Sequence, residues 1–375
     1  MAATGHDLNG FSVHHRGSMM TQRRIGVYGA LGGLGQRVVE GLARRDMPVV
    51  IGGPDERRLQ ILSQKLEKRG KKSDVAAAPI DAPDELDGML SGVDVLINCD
   101  SPFVDRGKAI VEASIRSTTH YLDISEEQEH ICWVSDACDD AARRNNLVLM
   151  PGCGLRFGLG DLASEIALAN AASRIVVAYA IPGPSLGFGT RKSLTRILTR
   201  GGSTFVDGHR VEKRPGIRLF DVPFPDGSSK KGVWVPGGEA ITVPRRGGVT
   251  TVETCLVSAE NSQSFSLPLL RLVPSLLRVF RPSAAGNADS AGSESQERGK
   301  PVRDYLVIAF DPKNAAPHVI LRGSEPYATT ARIVVEAAIR LCEKQPVRTG
   351  FIGLADLVEP EEFLDSIEVD ICAPK

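Results

Sequence analysis

The sequence predicts an α/β protein with a doubly wound parallel sheet, followed by a second α/β (α+β) domain built on a mixed or antiparallel sheet. Three observations lead to this prediction. Short β-branched runs alternate with longer amphipathic stretches from residue 24 to residue 150, which is typical of βαβ units. From residue 174 onward, strand-like runs follow one another with fewer helical stretches. At 375 residues the chain is also longer than one typical domain.

The first part of the chain contains six predicted strands and five predicted helices. The strands are expected at 25–28, 48–52, 74–80, 93–98, 120–124 and 147–150, and the helices at 33–45, 56–69, 83–90, 105–117 and 126–144. Six strands complete a Rossmann domain, in which ligands bind beyond the carboxyl ends of the strands. The residues that follow each strand are therefore the candidate site residues.

A glycine-rich turn follows the first predicted strand. Its spacing is G-x-x-G-x-x-G, and a leucine stands where the G-x-G-x-x-G fingerprint has its second glycine. Glycines permit a tight turn and a close approach to a pyrophosphate, whose charge lies at the N–H groups that open the next helix. An ordinary strand–helix turn is the alternative. The predicted dinucleotide contacts are Gly29, Leu31, Gly32, Gly33, Leu34 and Gly35.

The end of the second predicted strand indicates which dinucleotide binds. NAD sites usually carry an acidic residue there for the ribose hydroxyls, but the strand is followed by Pro54, and Asp55 suits the cap of the next helix. Arg57 and Arg58 come directly afterwards. We therefore predict that these arginines bind a 2′-phosphate and that the cofactor is NADP(H) rather than NAD(H). The alternative is that they form a solvated first turn.

The fourth predicted strand leads into a polar turn beside the expected position of the nicotinamide ribose. The predicted cofactor contacts in this turn are Asn98, Cys99, Pro102 and Phe103. Proline fixes the backbone of the turn. Phe103 either lies against the cofactor or seals the edge of the sheet.

The fifth predicted strand supplies three candidate catalytic residues. Strand alternation places Tyr121 and Asp123 on one face and His120 on the other. Tyrosine and histidine are possible proton donors, although a buried, hydrogen-bonded role is an alternative for each of the three. Ser125 and Gln128, three residues apart, predict a capping box for the following helix.

A second glycine-rich loop, residues 151–162, follows the sixth predicted strand. Arg156 in this loop is the fourth catalytic candidate, because a fixed guanidinium beside the nicotinamide would hold a substrate carboxylate through two hydrogen bonds. A surface arginine without a role in binding is the alternative. Asp161 is predicted to be the N-cap of a helix at 162–170.

Composition limits the choice of partners. The formal net charge of −1 gives no indication of nucleic-acid binding, so a small-molecule substrate is expected. Seven cysteines without C-x-x-C spacing predict neither a disulfide framework nor a metal site, and favour free thiols in a reducing cytoplasm. No run reaches the ~20 apolar residues of a membrane span.

The predicted organisation has four parts: a disordered extension at 1–22, the Rossmann domain at 23–152, a substrate and dimerisation domain at 153–326 with a disordered loop at 283–300, and C-terminal helices at 327–375. The last helices either return to the first domain or cover the second sheet. A helix with a basic face is predicted at 187–200. The Leu-rich stretch 266–280 would line a substrate cleft, rest on a membrane surface or form a dimer contact, and a homodimer is expected.

Four stretches together resemble the saccharopine dehydrogenase-like NAD(P)-dependent oxidoreductases. They are the glycine turn at 27–35, the segment VDVLINCDSPF at 93–103 continuing to HYLD at 120–123, the loop GLRFGLGDL at 154–162, and YATTA at 327–331. The resemblance implies a Rossmann domain completed in part by C-terminal helices, and an α/β substrate domain. It also implies hydride transfer from a nicotinamide cofactor to a C=N, C=C or C=O bond.

The chain departs from this family at two places. Pro54 stands where the family often has an arginine, so Arg57 or Arg58 would have to bind the phosphate. In the loop that often reads Gly-Phe-Asp-Ser-Val-Pro-Gly-Asp, Arg156 replaces the aspartate and Leu159 the proline. We therefore do not expect this chain to share the substrate of better-known members of the family.

These observations lead to two functional hypotheses. The first is an NADPH-dependent reductase of an imine or a conjugated C=C bond, acting in secondary metabolism, with Tyr121 or His120 as proton donor and Arg156 as anchor of an anionic substrate. The second is a catalytically inactive NADP-binding sensor or assembly protein. The altered loop at Arg156 is the feature that supports this second hypothesis.

Overall fold

The structure is a computed structural model that describes residues 23–181, 201–214, 218–258, 304–313, 317–344 and 346–372. The predicted segments at 1–22, 187–200, 266–280 and 283–300 lie outside the described residues, as do Arg191, Lys192, Arg196 and Arg200 of the predicted basic helix. None of the described helices is long and apolar enough to cross a membrane.

The described strands, numbered β1 to β16 in chain order, form two sheets. The first sheet contains β1 (Ile25–Tyr28), β2 (Val49–Gly53), β3 (Ser73–Ala77), β4 (Val95–Asn98), β5 (His120–Asp123), β6 (Val148–Met150) and β15 (Gly350–Phe351). Its order is β15-β6-β5-β4-β1-β2-β3, and every pair is parallel. This is the Rossmann order extended by one strand, so the predicted fold class is confirmed.

Six helices lie between the first strands: α1 (Gly33–Arg44), α2 (Glu56–Glu67), α3 (Pro83–Leu90), α4 (Phe103–Arg116), α5 (Gln128–Trp133) and α6 (Asp139–Arg144). A π-helical segment, Val134–Cys138, joins α5 to α6. Alternate strand residues pack against opposite layers of helices. Val27 and Leu122 share one apolar cluster with α1 and α2, whereas Leu96 and Tyr121 share another with α3 and α4. Both faces of the sheet are therefore covered, as expected for parallel strands.

The second sheet is mixed. It contains β7 (Arg174–Ile181), β8 (Gly202–Val206), β9 (His209–Lys213), β10 (Leu219–Pro223), β11 (Ser229–Trp234), β12 (Thr251–Ser258), β13 (Tyr305–Phe310), β14 (Pro317–Gly323) and β16 (Asp370–Cys372). Its main order is β10-β11-β12-β7-β13-β14-β16, and β8 pairs with both β12 and β9. The β12–β7 pair is parallel, and the other pairs are antiparallel.

The remaining helices connect the two sheets. They are α7 (Leu155–Ala169), α8 (Glu239–Thr242), α9 (Pro326–Glu343) and α10 (Pro360–Ser366). Helix α7 packs on β7, β13 and β14 of the second sheet, whereas α9 packs on α1, β4 and β5 of the first. The approach of α9 to α1 is close, because a Cβ atom at Gly41 would lie 3.1 Å from Val335. The chain thus returns to the first sheet through α9 and β15.

Candidate functional site

Two glycines of the turn after β1 are required by the packing of the protein itself. Gly29 has a φ of +74°, and a Cβ atom there would lie 2.9 Å from the backbone nitrogen of Asp100. At Gly35 a Cβ atom would lie 2.2 Å from the carbonyl oxygen of Gly29. Gly32 is different, because a Cβ atom there meets nothing closer than the Gly29 oxygen at 3.5 Å. Its missing side chain leaves open space at an exposed position.

The N-terminus of α1 lies beside this space and has unused donors. Gly32 is the N-cap, no side chain caps the helix, and its first turn carries no acidic residue. The first intrahelical bond runs from the Gln36 N–H to the Gly32 oxygen, so the N–H groups of residues 33–35 have no acceptor within the helix. Leu31 and Leu34 direct their side chains to the core. The backbone thus fits a pyrophosphate between β1 and β4, at the switch point of the sheet.

The end of β2 presents two free cations. Asp55 is the N-cap of α2 and accepts the Arg58 N–H at 3.0 Å, so its predicted capping role is confirmed. Arg57 and Arg58 are exposed in the first turn of α2, and neither guanidinium has an ion-pair partner among the described residues. Both side chains are therefore available to an anion at this edge of the sheet.

Asn98 at the end of β4 is buried and already occupied by protein contacts. Its Oδ1 accepts the Asp100 N–H at 2.9 Å, and its Nδ2 donates to the Tyr121 hydroxyl at 3.1 Å. Cys99 and Pro102 are partly exposed at this edge. These contacts hold the turn after β4, and direct binding of the cofactor by Asn98 stays a prediction.

Phe103 seals the edge of the sheet, which is the second of its two predicted roles. It is the first residue of α4, is 3% exposed, and its ring centroid lies 5.8 Å from that of His130. The buried carboxylate of Glu127 accepts the N–H groups of Phe103 at 3.0 Å and Val104 at 3.2 Å. Glu127 therefore caps α4, a role that the sequence analysis missed.

Asp123 at the end of β5 is the acceptor of a buried hydrogen-bond network. Its Oδ2 lies 2.7 Å from the Tyr121 hydroxyl and 2.7 Å from Nε2 of His130, and its Oδ1 accepts the N–H groups of Ser125 and Gly152, each at 2.8 Å. Tyr121 and Asp123 thus share one face of β5, as predicted. This network fixes the loop after β6 to the end of β5.

The network does not fit a catalytic role for Tyr121. Its side chain is fully buried, and its hydroxyl donates to Asp123. Burial, followed by the charge of Asp123, raises the pKa of Tyr121 well above its ordinary value. The phenol therefore keeps its proton and directs it at Asp123.

The structure places His120 at the opposite end of β5 from the candidate site. His120 pairs with Val95 at the first position of the strand, and its Nδ1 accepts the Val148 N–H at 2.9 Å. Burial lowers the pKa of His120. These contacts do not fit the predicted proton donor, because the candidate site lies at the carboxyl edge of the sheet.

The predicted capping box at Ser125 and Gln128 is wrong. Helix α5 begins at Gln128, and Ser125 instead accepts the Glu127 N–H at 3.0 Å, two residues along the loop. The Gln128 amide reaches the second part of the chain: it donates to the Ser203 and Gly237 carbonyls and accepts the Ser203 N–H at 2.7 Å. A tertiary contact has replaced the local one.

Arg156 is buried at the kink near the start of α7, so the alternative of a surface arginine is wrong. Its side chain is 4% exposed, and Nη1 donates to Glu126 Oε2 at 3.3 Å. Its guanidinium lies 5.1 Å from the ring centroid of Phe157 and 5.6 Å from that of Tyr179. Nε and Nη2 have no partner among the described residues. An unsatisfied buried donor costs about 1–3 kcal/mol.

Tyr179 and Glu239, which the sequence analysis missed, lie next to this arginine. The Tyr179 hydroxyl accepts the Phe157 N–H at 2.8 Å and donates to Oε1 of Glu239. Glu239 is fully buried, and burial raises its pKa to about 7. Gly160 makes room for this pair, because a Cβ atom there would lie 2.1 Å from each of the two side-chain oxygens. In the sequence, the feature that could have pointed to Glu239 is the glycine pair 237–238 directly before it.

Asp161 is not the predicted N-cap, because α7 begins at Leu155 and is kinked at residues 156 and 157. Its carboxylate accepts from Nη1 of Arg246 at 3.2 Å and Nη2 at 3.0 Å, and from the Thr242 hydroxyl at 2.7 Å. Nε of Arg246 donates to Glu165 at 2.7 Å. All three nitrogen atoms of Arg246 are thus partnered, unlike those of Arg156.

The dinucleotide half of this site matches a known family. Residues 25–147 match the family described as saccharopine dehydrogenase NADP binding domain. A lipid droplet localized protein of Caenorhabditis elegans is 29% identical over 143 residues, which cover 36% of this chain and 34% of that protein. A saccharopine dehydrogenase-like oxidoreductase of Bos taurus is 29% identical over 130 residues, which cover 30% of each chain. The matches thus span about a third of these relatives.

Solved structures show only distant similarity. A short-chain type dehydrogenase/reductase from Mycobacterium marinum is 13% identical, with a TM-score of 0.28, and the match covers 34% of this chain and 72% of that one. The family match instead falls on β1 to α6 and the glycine turn described above. Residues 25–147 are thus similar to the NADP-binding domain of the saccharopine dehydrogenase family, which confirms the resemblance and the predicted NADP(H) cofactor.

Proposed function

We propose that the chain is an NADP(H)-dependent reductase that adds hydride to a C=N or conjugated C=C bond of a small metabolite. The observation that carries the proposal is the uncapped N-terminus of α1 beside the open space at Gly32. The matched NADP-binding domain supports it. The same proposal includes an imine as the substrate, a place in secondary metabolism, a cytoplasmic location and a homodimer.

In this proposal each part of the nucleotide has protein partners. The N–H groups of residues 33–35 bind the pyrophosphate, since they have no acceptor within α1. Arg57 and Arg58 bind the 2′-phosphate, because both are exposed and unpaired among the described residues. The turn at Cys99 and Pro102 borders the nicotinamide ribose. When bound, the nicotinamide supplies the hydride.

The protein contributes binding and orientation at the reacting end. Asp123 fixes the loop after β6 through the Gly152 N–H. Arg156 follows this loop at the start of α7 and attracts an anionic group of the substrate. Tyr179 of β7 and Glu239 of α8 cover this segment, which limits the access of water. Tyr121 and His120 are not retained as proton donors, because their contacts are structural.

The test compares binding with turnover in the full chain. NADPH and NADH are titrated by fluorescence, and the loss of NADPH absorbance is followed with a panel of cyclic imines, enones and keto acids. Tighter binding of NADPH and turnover of an imine or enone support the proposal. Binding without turnover across the panel would favour the alternative of a cofactor-binding sensor or assembly protein, and the absence of binding by either nucleotide would refute both.

A further inference from the structure

We propose that Arg156 forms a carboxylate-binding subsite through the Nε–H and Nη2–H edge of its guanidinium. This proposal rests on the proposed function for its place in catalysis, since it names the chemical class of substrate. The sequence predicts only that Arg156 anchors an anionic substrate. The structure adds which two nitrogens of its guanidinium lack a described partner and that Glu126 accepts from the third.

The vacant donors have the geometry of a bidentate site. Nε and Nη2 of an arginine lie on the same edge of the planar guanidinium, with N–H bonds that run nearly parallel and match the two oxygens of a carboxylate. In Arg156 these two nitrogens are buried without a partner among the described residues. The third nitrogen, Nη1, donates to Glu126. The two nitrogens without a described partner thus form one complete edge of the guanidinium, rather than two unrelated atoms.

The contrast with Arg246 shows that burial alone does not leave an arginine unpaired in this fold. The Arg246 side chain is 9% exposed, and its nitrogens donate to Asp161 and Glu165. Every nitrogen of the Arg246 guanidinium therefore has a hydrogen-bond partner. Arg156 is more buried, and among the described residues its guanidinium donates only to Glu126.

The orientation of the vacant edge is fixed before any ligand arrives. The guanidinium lies near the rings of Phe157 and Tyr179, and the Phe157 N–H is bonded to the Tyr179 hydroxyl. Glu239 accepts from that hydroxyl. Because these contacts immobilise the aromatic surroundings, a carboxylate would meet donors that are already aligned.

The surrounding charges favour a monoanion. Glu126 contacts the guanidinium, and Glu239 is close enough for the Arg156 charge to act on it. A phosphate dianion would meet the Glu126 carboxylate and only two donors without partners, whereas a carboxylate carries one charge and uses both donors. We therefore commit to a carboxylate. Since both nitrogens are buried, a neighbouring segment must move for the carboxylate to enter.

The test measures anion binding without turnover. The full chain, saturated with NADPH and labelled with ¹⁵N at arginine, is titrated with formate, acetate and benzoate, and separately with benzamide and inorganic phosphate. The Nε–H resonance of Arg156 is assigned by its loss in Arg156→Lys. We expect a saturable shift with a carboxylate and none with benzamide. The Nε–H resonance of Arg246, already paired with Glu165, is the internal control and should stay in place.

Two variants give opposite expectations. Arg156→Lys keeps the positive charge but loses the two parallel donors, so carboxylate affinity, measured by thermal shift, should fall at least about tenfold with unchanged NADPH affinity. Glu126→Gln removes a competing charge and should keep or strengthen carboxylate binding. If none of the three carboxylates shifts the Arg156 resonance, or if phosphate alone does, the proposal is overturned. Failure of the proposed function would appear separately, as absent NADPH binding or turnover.

Discussion

The hydroxyl of Tyr121 donates to Oδ2 of Asp123 at 2.7 Å inside the sheet edge, where both side chains are fully buried. The same carboxylate lies 2.7 Å from His130 and accepts the Gly152 N–H. A tyrosine that looks like a proton donor in the sequence thus bonds to the carboxylate that fixes the loop after β6. Its proton is directed at Asp123.

Tyr121→Phe should therefore leave turnover nearly unchanged. The variant loses the bond to Asp123 and the bond from Asn98, so the free energy of unfolding should fall by about 1–3 kcal/mol. Urea unfolding measures the stability, and NADPH oxidation with the best substrate of the panel measures the activity. A well-folded variant whose turnover drops by about a hundredfold or more would restore Tyr121 as a catalytic residue.

Asp123→Asn should destabilise the protein more than Tyr121→Phe. The Tyr121 hydroxyl and the His130 Nε2 both face Oδ2, whereas two backbone N–H groups face Oδ1. An amide supplies a single oxygen, so its NH₂ group must face groups that need an acceptor. We expect a loss on the order of 3 kcal/mol in the free energy of unfolding. Equal stability of Asp123→Asn and wild type would contradict the network described here.

The glycine turn offers a matched pair of substitutions. Gly35→Ala should impair folding, because its Cβ atom would lie 2.2 Å from the Gly29 carbonyl oxygen. Gly32→Ala should fold normally, since its φ of −68° suits alanine and nothing lies closer than 3.5 Å. Gly32→Ala should nevertheless weaken NADPH binding at least about tenfold, because the added methyl group occupies the space assigned to the pyrophosphate. Circular dichroism measures the effect on folding, and NADPH titration measures the effect on binding. If Gly32→Ala bound NADPH with unchanged affinity, the pyrophosphate would not bind beside Gly32.

Local patterns predicted the parallel sheet well. The bounds of β1 and α3 agree with the predictions to the residue, because strong periodicity and helix-start signals mark them in the sequence. The shared face of Tyr121 and Asp123 followed from strand alternation alone. Strand β15 was missed, since two residues carry no period, and it forms by pairing with β6 about 200 residues earlier in the chain.

The candidate site was predictable only where its contacts are local. The glycine turn and the Asp55 cap involve near neighbours in sequence. The surroundings of Arg156 depend on Tyr179 of β7 and Glu239 of α8, which lie well apart from it in the sequence. The capping box at Ser125 failed for the same reason, because Gln128 gains more distant partners at Ser203 and Gly237. Tertiary contacts of this kind override local signals.

The arginines of α2 should distinguish the two nucleotides. A double variant, Arg57→Ala with Arg58→Ala, removes the two unpaired cations at the end of β2, so NADPH should bind about ten- to a hundredfold more weakly while NADH binding stays the same. Fluorescence titration at low salt gives both dissociation constants. The control is Arg44→Ala, which removes a cation at the far end of α1. Equal weakening of NADPH and NADH would show that these arginines do not read the 2′-phosphate.

Glu239 should make stability depend on pH near neutrality. Its pKa is about 7 in the folded protein, against an ordinary value of 4.5, so the folded state binds the proton more tightly. The resulting stabilisation is fully present below about pH 4.5 and is lost as the pH rises through about 7. At about 1.4 kcal/mol per unit, the free energy of unfolding should fall by on the order of 3 kcal/mol over this range.

Glu239→Gln tests this dependence of stability on pH. Glutamine keeps the shape of the side chain and an oxygen for the Tyr179 hydroxyl, but it does not titrate. Urea unfolding at about pH 5 and about pH 8 should show a smaller fall in stability for the variant than for wild type. Glu56→Gln, at an exposed position on α2, should retain the wild-type dependence. If wild type and Glu239→Gln lost stability in parallel between the two pH values, the buried carboxyl would already be ionised at the lower one, and Glu239 would act as a permanent negative charge beside Arg156.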